Sequence, residues 1–280
     1  MLHFFPSISI NAASVTINGG HETRGSAYSW GRYIENNDIT AIFAEGQNDM
    51  WINVDVPSDS HIYTRCSYKK ECDEMELDIY KNALLLDYDN STEQIYDSNT
   101  VVPFLAAKID NSTGKSEKIY IRIHRGNRFK GMFVTSISLH ERYRNGRKIF
   151  LFRGTAKNSG NKQIAPSGMD SSVLSLALSS SSEIPQGAIV KRVSTTGTQS
   201  PRQGNVHHVI MPKNDGNWYT SVYSDDTSGT YNISEADKIP VKQTWMFKYN
   251  ALSPVKSQMD NVSLSLEWRY DIADTGYHPF

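Results

Sequence analysis

From Lys118 to Leu139 the chain changes character at every second residue. Ile119, Ile121 and Ile123 are separated by Tyr120, Arg122 and His124, and Phe133, Thr135, Ile137 and Leu139 by Val134, Ser136 and Ser138. Successive side chains of a strand point to opposite sides, so each run predicts a strand with one buried and one wet face. Asn145-Gly146 comes next, followed by the run Arg147 to Arg153. Both residues accept the positive φ of a type I′ turn, so the pattern predicts an antiparallel hairpin folded at 145–146. A bulged loop is the alternative, because a plain two-residue turn sets Arg144 opposite Arg147.

Short apolar runs ended by Gly, Pro, Asn or Asp continue in both directions. Val15–Ile17 stops at Asn18-Gly19-Gly20, Trp51–Val56 stops at Pro57, and Val262, Leu264, Leu266, Trp268 and Tyr270 alternate with Ser263, Ser265, Glu267 and Arg269. These are strand signatures. Only Asp73–Leu86 fits a helix as well as a strand. Strands at turn-to-turn spacing, with neither long helices nor a fixed repeat, predict an all-β chain of antiparallel β-sandwich or jelly-roll type. The length of 280 residues fits two such domains. The stretch 154–172, rich in Gly, Ser, Asn and Pro, reads as the linker, giving domains 1–156 and 157–280. The opening MLHFFPSISINAAS reads equally as the tail of a secretory signal, cut near Ala12 or Ala13, and as a first strand.

Composition changes this picture in two places. No stretch approaches the roughly 20 apolar residues of a membrane span. The net charge of −1 hides an asymmetry. Acids dominate from Asp38 to Asp97, and cations from Lys118 to Lys157, where Glu141 is the only acid. The two segments are expected to neutralise each other within one sheet rather than to form a nucleic-acid face, since no aromatic-Gly motif of a nucleic-acid module accompanies the cations.

Cys66 and Cys72 are spaced to close a small disulfide loop in an oxidising compartment. Asp87, Asp89, Ser91 and Glu93 alternate like calcium ligands, but Thr92 stands where a calcium loop needs Gly, so an acidic surface loop is expected. His207 and His208 fall on opposite faces of a strand, one exposed and one packed, and are not joint metal ligands. The chain lacks a Gly-x-Ser-x-Gly elbow, His-Glu-x-x-His, a Walker loop and a dinucleotide fingerprint, and no cofactor is expected. Fifteen Tyr and five Trp leave ring-bearing residues beside turns. Trp30, Tyr33, Trp218 and Tyr219, with the cations Arg122, Arg142 and Arg144, are the candidate ligand residues.

A β-rich, Ser/Thr/Asn-rich chain with one short cysteine loop is similar in style to bacterial surface adhesins and fimbrial subunits of the chaperone–usher kind. Val262–Tyr270 resembles the alternating terminal strand through which such subunits assemble. The likeness implies an exported, non-enzymatic binding or assembly protein at the cell surface. Its partners would be a glycan or other host-surface ligand, or further subunits joined by strand addition, with no nucleic acid and no membrane span. The alternatives are a jelly-roll enzyme acting on glycans through an acidic pair, and a virion or phage structural protein.

Overall fold

The computed structural model describes residues 14–35, 37–68, 74–90, 93–97, 100–126, 130–204 and 206–273. The chain divides into two compact units, the first ending at Arg142 and the second beginning at Tyr143. Among the described residues the only helical turns are short 3-10 segments at Arg24–Ser26 and Glu235–Asp237. No helix among them is long and apolar enough to cross a membrane.

The first unit holds β1 (Val15–Asn18), β2 (Tyr28–Arg32), β3 (Asn37–Phe43), β4 (Asp49–Val56), β5 (Ser60–Tyr68), β6 (Glu76–Lys81), β7 (Leu84–Asp89), β8 (Glu93–Asp97), β9 (Thr100–Asn111), β10 (Glu117–His124) and β11 (Phe133–Glu141). They form two sheets, ordered β1-β3-β11-β5-β9-β8 and β2-β4-β10-β6-β7. Pairing is antiparallel except at one edge of each sheet, where β1 runs parallel to β3 and β2 to β4. The alternating isoleucines do what their period requires. Ile119, Ile121 and Ile123 from one sheet meet Ile39, Ile137 and Leu139 from the other in a single buried cluster, which makes the unit a β-sandwich. Along one side the sheets are tied by two carboxylates of β7, where Asp87 and Asp89 accept the backbone N–H groups of Lys108 and Ala106 on β9 at 2.6 and 2.7 Å. Asp73–Leu86 is therefore no helix: its described part is β6 and the start of β7, and Asn82 takes the positive φ of the turn between them.

The second unit holds β12 (Tyr143–Leu151), β13 (Ala156–Asn158), β14 (Met169–Asp170), β15 (Leu174–Ala177), β16 (Ile189–Ser200), β17 (Val206–Pro212), β18 (Tyr219–Thr220), β19 (Tyr223–Ser224), β20 (Ser228–Thr230), β21 (Thr244–Ala251) and β22 (Ser257–Asp271). One sheet runs β12-β22-β16-β20-β19 with β13 also on β22; the other runs β14-β21-β17-β18 with β15 also on β21. Leu264, Leu266 and Val193 of the first pack on Phe247, Tyr249 and Ile210 of the second. This is a second sandwich.

Four expectations are corrected by these arrangements. Asn145-Gly146 is not a turn but lies inside β12, where Gly146 is paired with Trp268 of β22. A Cβ at 146 would sit 2.5 Å from the indole, so glycine is there to admit a ring and not to turn the chain. The boundary falls at 142/143 and not at 156/157, because the stretch 154–172 is built into the second unit. There the side chains of Asn158 and Asn161 are buried and bond the backbone of Met169 and Ala165. Val262–Tyr270 is no strand left over for a partner, since β22 is flanked on both sides by β12 and β16 of its own chain. Finally, Cys66 is a free, buried thiol whose Sγ lies 3.0 Å from Thr135 Oγ1. It faces the core from the middle of β5, so the disulfide loop is not formed; Cys72 lies outside the described residues, as does the opening segment 1–13.

Candidate ligand face of the first unit

Strand alternation that buries Met50, Ile52 and Val54 on β4, Leu77 and Ile79 on β6 and the three isoleucines of β10 turns the intervening residues to the other side of the same sheet. Registry sets them in rows. Asp49, His124 and Glu76 form one row; Trp51, Arg122, Asp78 and Tyr88 the next; Asn53, Tyr120 and Tyr80 the third. The result is an outer face carrying three half-buried rings, with the exposed Tyr88 at its margin.

Arg122 is its centre. The guanidinium Nε donates to Asp49 Oδ1 at 2.7 Å and Nη1 to Asp78 Oδ2 at 2.8 Å, with a Glu76 carboxylate oxygen at 3.7 Å. His124 Nδ1 lies 3.0 Å from the same Asp49 oxygen. Partial burial alone would make Arg122 easier to deprotonate, but its hydrogen bonds to Asp78 and Asp49 carry its pKa upward, so it remains a cation. Here the acidic and basic segments of the sequence do meet within one sheet, as expected of them.

Around this polar centre the rings are ordered. Trp51 and Tyr80 lean toward each other from opposite sides of β10, with centroids 5.4 Å apart and planes inclined by 34°. Burial first, and the Asp78 carboxylate second, raise the pKa of the Tyr80 phenol, which stays a hydroxyl. Arg24 reaches from the loop before β2, lies over the Tyr120 ring at 5.8 Å and donates to the Asn82 carbonyl, closing one end of the face.

Of the candidate ligand residues, only Arg122 occupies this face with such neighbours. Trp30 and Tyr33 pack against the core of the first unit, and the Tyr33 hydroxyl donates to Glu35 at 2.5 Å. Arg142 is buried beside Asp110, to which Nη1 donates at 2.7 and 2.9 Å. Partial burial works against Asp110 as a carboxylate, but bonds from His61 and Arg142 outweigh it and hold its pKa below the usual range. Arg144, Trp218 and Tyr219 belong to the second unit. Arg144 is paired across β12 and β22 with Tyr270, Trp218 carries the Lys248 ammonium 4.5 Å above its ring, and Tyr219 donates to Asp215 at 2.9 Å. The face thus consists mainly of residues that sequence reading passed over. Their signal was present as equal spacing in three segments, Asp49/Trp51/Asn53, Glu76/Asp78/Tyr80 and Tyr120/Arg122/His124. It becomes a site only once these strands are known to be neighbours.

No group of three or more metal-ligating side chains occurs among the described residues. The Asp225 carboxylate orders the turn after β19: it accepts from Thr227 and Ser228, and those bonds lower its pKa to about 2.

No family model matches the sequence. One relative decides the family: the uncharacterized protein YbdN of Bacillus subtilis is 33% identical over 265 residues, covering 94% of this chain and 91% of its own. The chain belongs to the YbdN family. Among solved structures, a candidate secreted protein from Eubacterium rectale matches 80% of this chain and 70% of its own at a TM-score of 0.36 and 8% identity. The CBM22-1–CBM22-2 tandem domain of Paenibacillus barcinonensis Xyn10C matches 76% and 82% at 0.30 and 9%.

Proposed function

We propose that this YbdN-family protein is a non-enzymatic binding protein acting outside the cell, and that its first unit holds an extended saccharide across the outer face of the five-stranded sheet. The observation that carries the reading is the pairing of Trp51 and Tyr80 directly beside the fixed Arg122–Asp49–Asp78 cluster. Sugar rings offer apolar C–H faces to aromatic side chains and hydroxyls to charged groups, and a face supplying both without reorganisation spends little entropy on binding. The guanidinium lies between the two carboxylates, in the space that a glycosidic oxygen would need in an acid-pair hydrolase, which supports binding over cleavage. Extracellular action follows from the ligand class, since such polymers coat cells.

The test is a glycan array probed with the intact protein, followed by titration of any retained polymer against Trp51→Ala and Tyr80→Phe, with circular dichroism to confirm folding. Trp51→Ala should weaken binding at least tenfold, about 1.4 kcal/mol, and Tyr80→Phe much less. Retention unaffected by Trp51→Ala, or no retention of any glycan, would overturn the reading. Release of shortened glycan would convert it to the acid-pair enzyme.

A further inference from the structure

The second unit contains a cleft that the saccharide face does not involve. It measures about 440 Å³ and is lined by residues that include Asn145, Gly146, Glu183, Gln186, Lys242 and Trp268. Its size lies within the range of small-molecule sites. A smaller cleft of about 340 Å³ shares Asn145, Gly146 and Trp268 and adds Arg147, Lys191 and Glu267.

Three of the polar groups that line the larger cleft are donors. Trp268 is 4% exposed, and its indole Nε1, a group that only donates, is buried without any acceptor. That edge of the ring lies over Gly146, where a Cβ would stand 2.5 Å from Nε1. Asn145 has its carbonyl Oδ1 taken by Lys191 Nζ at 2.9 Å, which leaves its two amide hydrogens as donors. Lys242 is half-buried and forms no ion pair with any described carboxylate. The acid in the wall, Glu183, is neutralised by the ammonium of Lys148. These three donors stand beside the Gln186 amide and the Ser182 and Tyr270 hydroxyls, which can donate or accept, in a cleft whose one carboxylate is already paired. A buried donor without an acceptor is costly, so the site is built for a ligand that brings acceptor oxygens.

We propose that this cleft is a second binding site, specific for a small carboxylate-bearing ligand of about the size of one uronic acid residue. Its carboxylate would lie against Lys242 and the Asn145 amide, with a ring oxygen accepting from the Trp268 indole. Charge rather than ring shape would set the preference, because Lys242 is the one unneutralised ion of the cleft wall.

The experiment follows the Trp268 indole N–H cross-peak in ¹⁵N-labelled full-length protein, assigned by its absence in Trp268→Phe, during titration with D-galacturonate and, separately, with neutral D-galactose. The expected result is a downfield shift of that cross-peak with galacturonate alone, and an affinity reduced about tenfold in Lys242→Met. Asn145→Ala should weaken binding without moving the remaining spectrum, and the spectrum itself reports that each variant is folded. A cross-peak unmoved by galacturonate, moved equally by galactose, or titrating identically in Lys242→Met would overturn the proposal.

Discussion

His208 is a buried side chain whose protonation opposes the fold of the second unit. It is fully buried, its Nδ1 lies 2.8 Å from Thr195 Oγ1, that oxygen lies 2.8 Å from the Tyr231 hydroxyl, and its Nε2 has no partner. Burial lowers its pKa from 6.5 to about 4, against the weaker pull of Asp225 and Asp226. The unfolded chain therefore takes up the proton at a higher pH than the native one. Stability is complete above the unfolded value and falls as pH drops from 6.5 toward 4, by roughly 3 kcal/mol over the window. Urea midpoints measured across that window should fall steeply in the native protein and flatten in His208→Gln; equal slopes would show that another group governs the acid limb. Cys66 is the reverse case of burial acting on a thiol, its pKa pushed up to about 12 despite the contact with Thr135. In a Cys72→Ser background it should resist thiol reagents in the native protein and react in denaturant. Labelling of the folded variant would mean that β5 opens.

At the scale of elements, period-two alternation located β10, β11 and β22 and named their core faces, because a residue's own burial leaves a mark at its own position. Pairing leaves no such mark. Asn145-Gly146 carried the strongest local turn signal in the chain and is straight strand, since the demand for glycine came from Trp268, a residue more than a hundred positions away. Gly146→Ala should therefore destabilise the second unit by about 1–3 kcal/mol through displacement of the indole, the usual cost of overpacking. A substitution that left the denaturation midpoint unchanged would contradict the close approach. The same ignorance of partners hid the candidate ligand face. Arg122 was legible as an unusual cation on a wet face, but Asp49, Trp51, Asp78 and Tyr80 acquire meaning only when β4 and β6 flank β10.

For the whole molecule, sequence reading gave two sandwiches and misplaced the joint between them. Polar, Gly-rich composition marks residues that avoid a hydrophobic core, and buried asparagines that bond backbone carbonyls, such as Asn158 and Asn161, satisfy that description as well as a linker does. The true joint is Arg142, a single residue between β11 and β12, too short to leave any compositional trace. Fragments 1–142 and 143–280 should each unfold cooperatively in urea, followed by circular dichroism; a fragment without a transition would show that its core depends on the other. The interior place of β22 has a consequence in time. The second unit's first strand, β12, pairs only with its last, so that sheet lacks the strand between β12 and β16 until Asp271 has been synthesised. The intervening stretch takes on the order of ten seconds to translate at roughly 5–20 residues per second. Throughout that interval the first unit has all its strands and folds, while the second trails behind it as an unclosed chain.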